Sequence, residues 1–198
     1  GSVAIDGNTY SVEVEGNYVY TVDYNTNNLK IINVSVPASP TVTSTLNLGG
    51  LSWDVEIAGN YAYVVSWNSE DLKVIDVSNP AAPVISGTLA IGGEPMSVVV
   101  QGNSAYVVDR ISDDLKVIDI SDPTSPTLSV SLPLGPKPQS VQVLGNYAYV
   151  VDYGSDDLKV IELSCKQTTG IIIDPATGNL VYQDLKWQEN NGDIYANN

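Results

Sequence analysis

The sequence predicts an all-β fold that is built from repeated units of four antiparallel strands. The pattern repeats every 43 residues without a gap, so that residues 94–136 lie over residues 51–93 and again over residues 8–50. Within each unit the apolar residues alternate with a period near two, which is typical of strands. A fixed period of this length indicates an array of identical supersecondary units.

Strands a and b of each unit form a predicted hairpin. In the first unit strand a passes through Val12 and Val14, and strand b reads YVYTVD. The Tyr and Val side chains of strand b suit a pleated surface that is packed on both sides. A Gly-Asn pair separates the two strands, and its glycine supplies the positive φ that a two-residue turn needs. The four glycines are Gly16, Gly59, Gly102 and Gly145.

Strands c and d complete each unit. Strand c reads LKIIN, LKVID, LKVID and LKVIE, a nearly continuous apolar run that is expected of a strand between two layers. Two prolines then mark the entry to an edge strand, because proline cannot donate a ladder hydrogen bond. Strand d follows as VTSTLNL, VISGTLAI and TLSVSLPL. Four antiparallel strands repeated about every 40 residues predict the blades of a β-propeller.

The residues of strand c also resemble the LVIVD-repeat family of bacterial proteins, and the resemblance extends over residues 8–164. It implies a β-propeller fold and no particular activity. The predicted propeller domain spans residues 1–165, with residues 1–7 as a closing outer strand. Its repeats are residues 8–50, 51–93, 94–136 and 137–165.

The two ends of the repeat region are complementary. Residues 1–7 align with the close of strand d at residues 44–50, whereas the last unit loses the pattern before its own strand d. We therefore expect Val3–Ile5 to pair with strand c of the last blade, around Lys159–Leu163, and so to hide a sheet edge. A four-bladed ring within one chain is the first interpretation. The alternative is an eight-bladed ring of two chains, in which each N-terminal strand completes the partner's last blade.

Residues 166–198 form a separate C-terminal segment. IIIDPATGNLVY predicts a β-hairpin around its Asp-Pro-Ala-Thr-Gly-Asn turn, and a polar, Asn-rich tail follows. The sequence leaves three roles open for this segment: a strap over a blade, an arm between subunits, or an unfolded tail.

The composition excludes several classes of function. The chain has 23 acidic and eight basic residues, and its net charge of −15 repels the phosphates of nucleic acids. It has no histidine and a single cysteine, Cys165, which argues against Ser-His-Asp chemistry and a Cys-rich zinc site. No apolar run is long enough to span a membrane. Because the chain does not begin with methionine, we expect a secreted protein after processing, or a piece of a longer surface protein.

One end of the predicted blades carries the candidate binding site. Strand directions alternate, so the d–a and b–c connections share this end, and their residues vary from blade to blade. Aromatic rings among carboxylates bind sugars or cations, and Tyr, Trp and Arg dominate protein interfaces. Packing between blades is the competing explanation for the same rings. The candidate ligand-binding residues are Tyr10, Tyr24, Trp53, Trp67, Arg110 and Tyr153.

No cofactor is expected, although the acidic b–c loops raise calcium as an alternative, because calcium takes six to eight oxygen ligands. No Asp-x-Asp-x-Asp-Gly run is present, and Asp-rich turns are common without a metal. A propeller hydrolase is the weakest alternative, since no carboxylate has a basic or apolar partner that would tune it. The acidic pairs are Glu70-Asp71, Asp113-Asp114 and Asp156-Asp157.

The sequence therefore predicts a non-enzymatic module, secreted or at the cell surface, that recognises or adheres to a protein or a glycan through this aromatic and acidic end. The alternative is a structural subunit of a surface assembly or filament, which associates with itself through strand edges, residues 1–7 and residues 166–198.

Overall fold

The computed structural model describes residues 1–163 and, further on, the strands at residues 172–173, 180–181, 186–190 and 193–197. Residues 1–163 contain no helix and fold into four consecutive antiparallel sheets. The all-β fold and its division into four 43-residue units are thus confirmed. The described part of the chain has no helix with the length and apolar character of a membrane span.

Each sheet is one blade, with its strands hydrogen-bonded in chain order. Blade 1 comprises β1 (Thr9–Glu15), β2 (Tyr18–Asp23), β3 (Asn28–Asn33) and β4 (Thr41–Asn47). Blade 2 comprises β5 (Ser52–Ala58), β6 (Tyr61–Ser66), β7 (Asp71–Asp76) and β8 (Val84–Ala90). Blade 3 comprises β9 (Pro95–Gln101), β10 (Ser104–Asp109), β11 (Asp114–Asp119) and β12 (Thr127–Pro133). Blade 4 comprises β13 (Pro138–Leu144), β14 (Tyr147–Asp152) and β15 (Asp157–Glu162).

The turns follow the predicted residue chemistry. Gly16 and Gly145 have φ values of 58° and 61°, the left-handed conformation that the Gly-Asn hairpins require. In the proline-spaced turn of blade 1, the amide of Ser39 donates to the carbonyl of Val36 over 2.8 Å. These short turns keep strands a to d of a blade in one sheet.

The core lies between the blades, in three clusters where neighbouring sheets pack face to face. We call the face that packs on the following blade the front face, and the opposite one the back face. The inner strands pack in the order β1, β5, β9 and β13. Side chains on the front face of blade 1 pack against side chains on the back face of blade 2 in one buried cluster. It includes Tyr20, Val22, Leu29 and Ile31 from blade 1, and Val55, Ala62, Val64 and Ile75 from blade 2.

The four blades form an open array, and the predicted closure by the N-terminal strand is absent from the described residues. Among the described strands β15 is bonded to β14 alone, and Val3–Ile5 forms no strand. The reason is geometric, because four blades do not bring the first blade round to the last. Val12 on the back face of blade 1 is 58% exposed, whereas the matching Val55 of blade 2 is 1% exposed.

The N-terminal residues lie on blade 1 instead. The ammonium group of Lys30 donates to the carbonyl of Ile5 over 3.2 Å and also to the carbonyl of Asp6. Val3 and Ile5 are half-buried there. They align with Leu46 and Leu48, which close the front side of blade 1 against blade 2. Residues 1–7 therefore take the place that the outer strand of a preceding blade would fill.

Four short strands belong to the C-terminal segment. β16 (Ile172–Ile173) pairs with β17 (Leu180–Val181), and β18 (Lys186–Asn190) pairs with β19 (Asp193–Asn197). β19 lies close to β15 of blade 4. The predicted turn at residues 174–179 lies outside the described residues, as does Cys165, so the three proposed roles of the segment stay predictions.

Candidate functional site

Four of the predicted site residues form one aromatic cluster at the end of blades 1 and 2. Tyr10 stacks on Trp53 with ring centroids 4.5 Å apart, and Tyr24 lies over Trp67 at 5.8 Å. Trp53 contacts both Tyr24 and Trp67 edge-on, each at 6.0 Å. We call these four rings the aromatic cluster, and the end of the blades that carries them the loop face. The d–a and b–c connections thus share one face, as predicted.

β-Bulges place two of the rings. Strands β1 and β2 pair with Thr9 opposite Asp23 and Ser11 opposite Val22, so that Tyr10 between them is left without a partner. Trp53 is the corresponding extra residue of β5. A bulge bends its strand and redirects the extra side chain, and bulges are over-represented next to binding and active sites. The same bulges in blades 3 and 4 fall at Met96 and Gln139, so only blades 1 and 2 place an aromatic ring there.

A backbone hydrogen bond places the other two rings. The amide of Tyr24 donates to the carbonyl of Asn8 over 3.0 Å, and the amide of Trp67 donates to Leu51 over 2.9 Å. Each bond ties the residue that follows strand b to the d–a connection of the same blade. The rings of the d–a connections consequently lie beside the rings of the b–c connections on the loop face.

The cluster combines packing with exposure. Trp53, Tyr24 and Trp67 are half-buried, and Trp53 also packs against the buried cluster between blades 3 and 4 that contains Met96. Tyr10 is 54% exposed. Because the rings contact one another, they form a packed platform and not an open cage around a cation. Such a platform can stack on a ligand or anchor a partner through the exposed ring.

The remaining two predicted site residues stand apart from the cluster. The guanidinium of Arg110 lies 3.2 Å from the carboxylate of Glu94, and both side chains are partly exposed. Tyr153 is exposed, and no ring contact joins it to another described aromatic residue. Both occupy the position after strand b, like Tyr24 and Trp67, and their amides make the same hydrogen bond to the d–a connection.

The buried carboxylates of the b–c loops hold the loops in shape. Asp109 accepts hydrogen bonds from the amides of Glu94, Ile111 and Ser112 over 2.9–3.0 Å. The ammonium group of Lys116 lies 3.2 Å from the same carboxylate. Burial raises the pKa of Asp109, but the three amides and Lys116 more than offset this effect and hold its pKa below the ordinary value.

In blades 2, 3 and 4 the second carboxylate of the b–c loop also binds a lysine, and this arrangement bears on the calcium alternative. An ammonium group already neutralises the oxygens that calcium would need. In residues 1–163 no three acidic, histidine or cysteine side chains are arranged to hold a metal ion. We therefore derive no metal site. The pairs are Lys73 with Asp71, Lys116 with Asp114, and Lys159 with Asp157.

One acidic group was not predicted and lies on the inner strands. Asp54 accepts from the hydroxyl of Ser11 over 2.6 Å and from the amide of Val98 over 2.9 Å, and so links blades 1, 2 and 3. Nearby, burial first and then the charges of Glu13 and Asp54 raise the pKa of Glu56 to about 7. A signal for Asp54 was present, because the other three repeats carry serine at its position.

A sequence model of the LVIVD repeat matches the chain four times, at residues 6–47, 49–90, 92–132 and 136–165. No curated protein matches the sequence. The matches cover all four blades, including the three-stranded last blade.

Solved structures resemble the fold at low sequence identity. A protein from Lactobacillus plantarum is 15% identical with a TM-score of 0.72, and the match covers 88% of this chain and 54% of that chain. A Bacteroides uniformis protein with a suggested 6-phosphogluconolactonase activity is 12% identical with a TM-score of 0.71, and the match covers 87% of this chain and 52% of that chain. The computationally designed Ika4 protein is 10% identical with a TM-score of 0.67, and the match covers 81% of this chain and 94% of that chain. The chain thus spans about half the length of these two natural relatives.

Proposed function

The chain belongs to the LVIVD repeat family, and on that premise we propose that it is a recognition module that binds a protein or a glycan at the cell surface. The proposed site is the aromatic cluster on the loop face of blades 1 and 2. Arg110 and Tyr153 lie on the same face in blades 3 and 4, apart from the cluster.

The observation that carries the proposal is that the bulge positions hold an aromatic ring in blades 1 and 2 and in neither of the other two blades. Packing between near-identical blades favours identical residues at matched positions. The bulge positions instead hold Tyr10, Trp53, Met96 and Gln139. Tyr10 stacks on Trp53 and still presents more than half of its surface to solvent. An exposed tyrosine on an aromatic support is the kind of side chain that anchors interfaces.

Three features favour binding over catalysis. The chain has no histidine to act as a general base at neutral pH. The buried loop carboxylate Asp109 is committed to backbone amides and Lys116, and Arg110 is paired with Glu94. The likeness to the Bacteroides protein, at 12% identity, concerns the fold alone.

The charge of the chain supports a secreted or surface location in this proposal. A net charge of −15 keeps a protein soluble and apart from nucleic acids and anionic surfaces. It also favours a partner with a neutral or basic binding surface.

The proposal is tested with a glycan array and with capture from the native cell surface, each run with wild type, Tyr10→Ala/Trp67→Ala and Val36→Ala. Val36 is exposed in a proline-spaced turn at the opposite end of blade 1 and serves as the control. We expect the double variant to lose the ligand by about ten- to a hundredfold, from two aromatic contacts. A ligand that binds the double variant and the control equally would contradict the proposed site.

A second candidate function is that of a structural subunit, and a separate observation favours it. Both ends of the blade array expose the apolar faces that its interior buries.

A further inference from the structure

The front face of blade 4 is exposed where the same face of every other blade is buried. Leu158 is 60% exposed, whereas the matching Leu115 of blade 3 is fully buried. Val151 and Val160 are likewise exposed, although their counterparts in blade 2, Val65 and Val74, are fully buried. Contiguous apolar surface of this kind marks an interaction site.

The back face of blade 1 is exposed in the complementary manner. Val12 and Val14 are exposed on its inner strand. The residues that match Val12 in the other blades, Val55, Val98 and Val141, are buried against the preceding blade. The outer half of this face, which includes Ile32, is buried, and residues 1–7 run along it.

The two exposed faces match each other as the internal blade faces do. Each internal interface joins the Tyr, Val and Leu residues of one front face to the Val, Ala and Ile residues of the next back face. Blade 4 presents Tyr149, Val151 and Leu158, and blade 1 presents Val12 and Val14, at the same repeat positions. The contact that covers them is therefore of a kind that this chain already forms between its own blades.

Strand pairing adds a second complementarity. Among the described strands, β15 is the outermost bonded strand of blade 4, whereas blades 1, 2 and 3 each have a fourth strand. Residues 1–7 occupy the place of an outer strand that precedes blade 1. The contact of Gly1 with Pro37 and Ala38 repeats the contact of Gly87 with Pro123 two interfaces further on. In a continued array, residues 1–7 would belong to the blade that precedes blade 1.

We propose that two copies of this chain associate head to tail, with the front face of blade 4 of each copy against the back face of blade 1 of the other. Residues 1–7 of each copy then lie beside β15 of its partner and complete blade 4 by strand addition. Two such contacts close a ring of eight blades, since heterologous contacts close when the rotation between copies completes a circle. The relatives from Lactobacillus plantarum and Bacteroides uniformis, of which this chain spans 54% and 52%, show the same fold in a chain about twice as long. The inference is independent of the proposed binding site.

Sedimentation equilibrium of the full chain tests the proposal. We expect wild type at twice the chain mass of 21.1 kDa. Leu158→Glu and Val12→Glu each place a charge in both contacts of the ring, and each should weaken dimerisation roughly a hundredfold or more. Leu128→Glu is the control, because Leu128 is exposed on an outer strand, as its counterparts Val42 and Ile85 are in blades 1 and 2.

Mixing the two variants tests the head-to-tail geometry. Each retains one wild-type face, so an equimolar mixture of Leu158→Glu and Val12→Glu should regain dimers through one intact contact. If Val12→Glu stayed dimeric while Leu158→Glu did not, the contact would join two identical faces and the proposal would be wrong. A monomeric wild type would also overturn it, and so would open filaments. A monomer that Leu158→Glu destabilises would show that the chain's own C-terminal strands cover blade 4.

Discussion

Tyr10 and Trp53 occupy the same repeat position in neighbouring blades, and their rings stack at 4.5 Å with an interplanar angle of 26°. The equivalent pair after strand b, Tyr24 and Trp67, stacks beside it at 5.8 Å. A repeat protein thus brings residues that are 43 positions apart into direct contact, because matched positions of adjacent blades lie side by side. Aromatic residues at two repeat positions of two adjacent blades are enough to create the platform.

The Tyr10–Trp53 stack should be measurable as a coupling energy. In a double-mutant cycle of Tyr10→Ala and Trp53→Ala, we expect a coupling of about 0.5–1.5 kcal/mol in the free energy of unfolding. Tyr10→Ala alone should cost little because the side chain is mostly exposed, whereas Trp53→Ala should cost more because Trp53 also packs against the blade 3–4 core. Urea unfolding of the four proteins provides the measurement. A coupling within error of zero would mean that the rings are neighbours without mutual stabilisation.

The buried lysine of blade 3 should be far more important for stability than its counterpart in blade 4. Lys116 is buried between Asp109 and Asp114, and Lys116→Met leaves both carboxylates without their counter-charge. Breaking a buried ion pair from one side costs about 3–5 kcal/mol. The side chain of Lys159 is 22% exposed, so water screens the same change there and the loss should be clearly smaller. Equal losses in urea unfolding would contradict this account of burial.

Stability should depend on pH through Glu56. Burial, then Glu13 and Asp54, raise the pKa of its carboxyl from 4.5 to about 7, so the folded state favours the protonated form. The stabilisation from protonated Glu56 is therefore present below pH 4.5 and is lost as the pH rises through about 7. Glu56→Gln should melt like wild type at pH 4 and above wild type at pH 8. A constant difference across this range would show that the charge of Glu56 is not responsible.

Removal of residues 1–7 should lower the melting temperature. These residues run along the back face of blade 1, where Ile32 is buried, and Lys30 loses its two carbonyl acceptors when they are deleted. Exposure of one large aliphatic side chain costs about 1.5–3 kcal/mol, which corresponds to roughly 3–12 °C in a domain of this size. Thermal unfolding in dilute solution, with Val3→Ser/Ile5→Ser as a full-length comparison, provides the test. An unchanged curve for both variants would show that the segment does not stabilise blade 1.

The 43-residue period predicted the strands and turns well, because each is specified by residues close together in the sequence. Gly16 required a left-handed turn, and the alternation through Val12 and Val14 required a strand. The local sequence was therefore enough to predict β1 and β2. The predicted pairing of Val3–Ile5 with β15 was wrong, because ring closure depends on the rotation between neighbouring blades. That rotation is the sum of many side-chain contacts, and no single residue encodes it.

The site was predictable in part for the same reason. Alternating strand direction placed Tyr10, Tyr24, Trp53 and Trp67 on one face. The bulges that redirect Tyr10 and Trp53 left no mark in the sequence pattern, and neither did the packing of Trp53 towards Met96. The only sequence signal for the link from Asp54 to blades 1 and 3 was that the other three repeats have serine at this position.

The affinity of a captured ligand for Tyr10→Ala, with Tyr10→Phe as its matched control, tests the proposed binding site most directly. Tyr10 is the exposed member of the aromatic cluster, so its truncation removes a contact to the ligand with little effect on the fold. We predict that Tyr10→Ala weakens binding by about three- to tenfold at an unchanged melting temperature, and that Tyr10→Phe, which keeps the ring, retains most of the affinity. Wild-type affinity in Tyr10→Ala would contradict a binding role for the aromatic cluster.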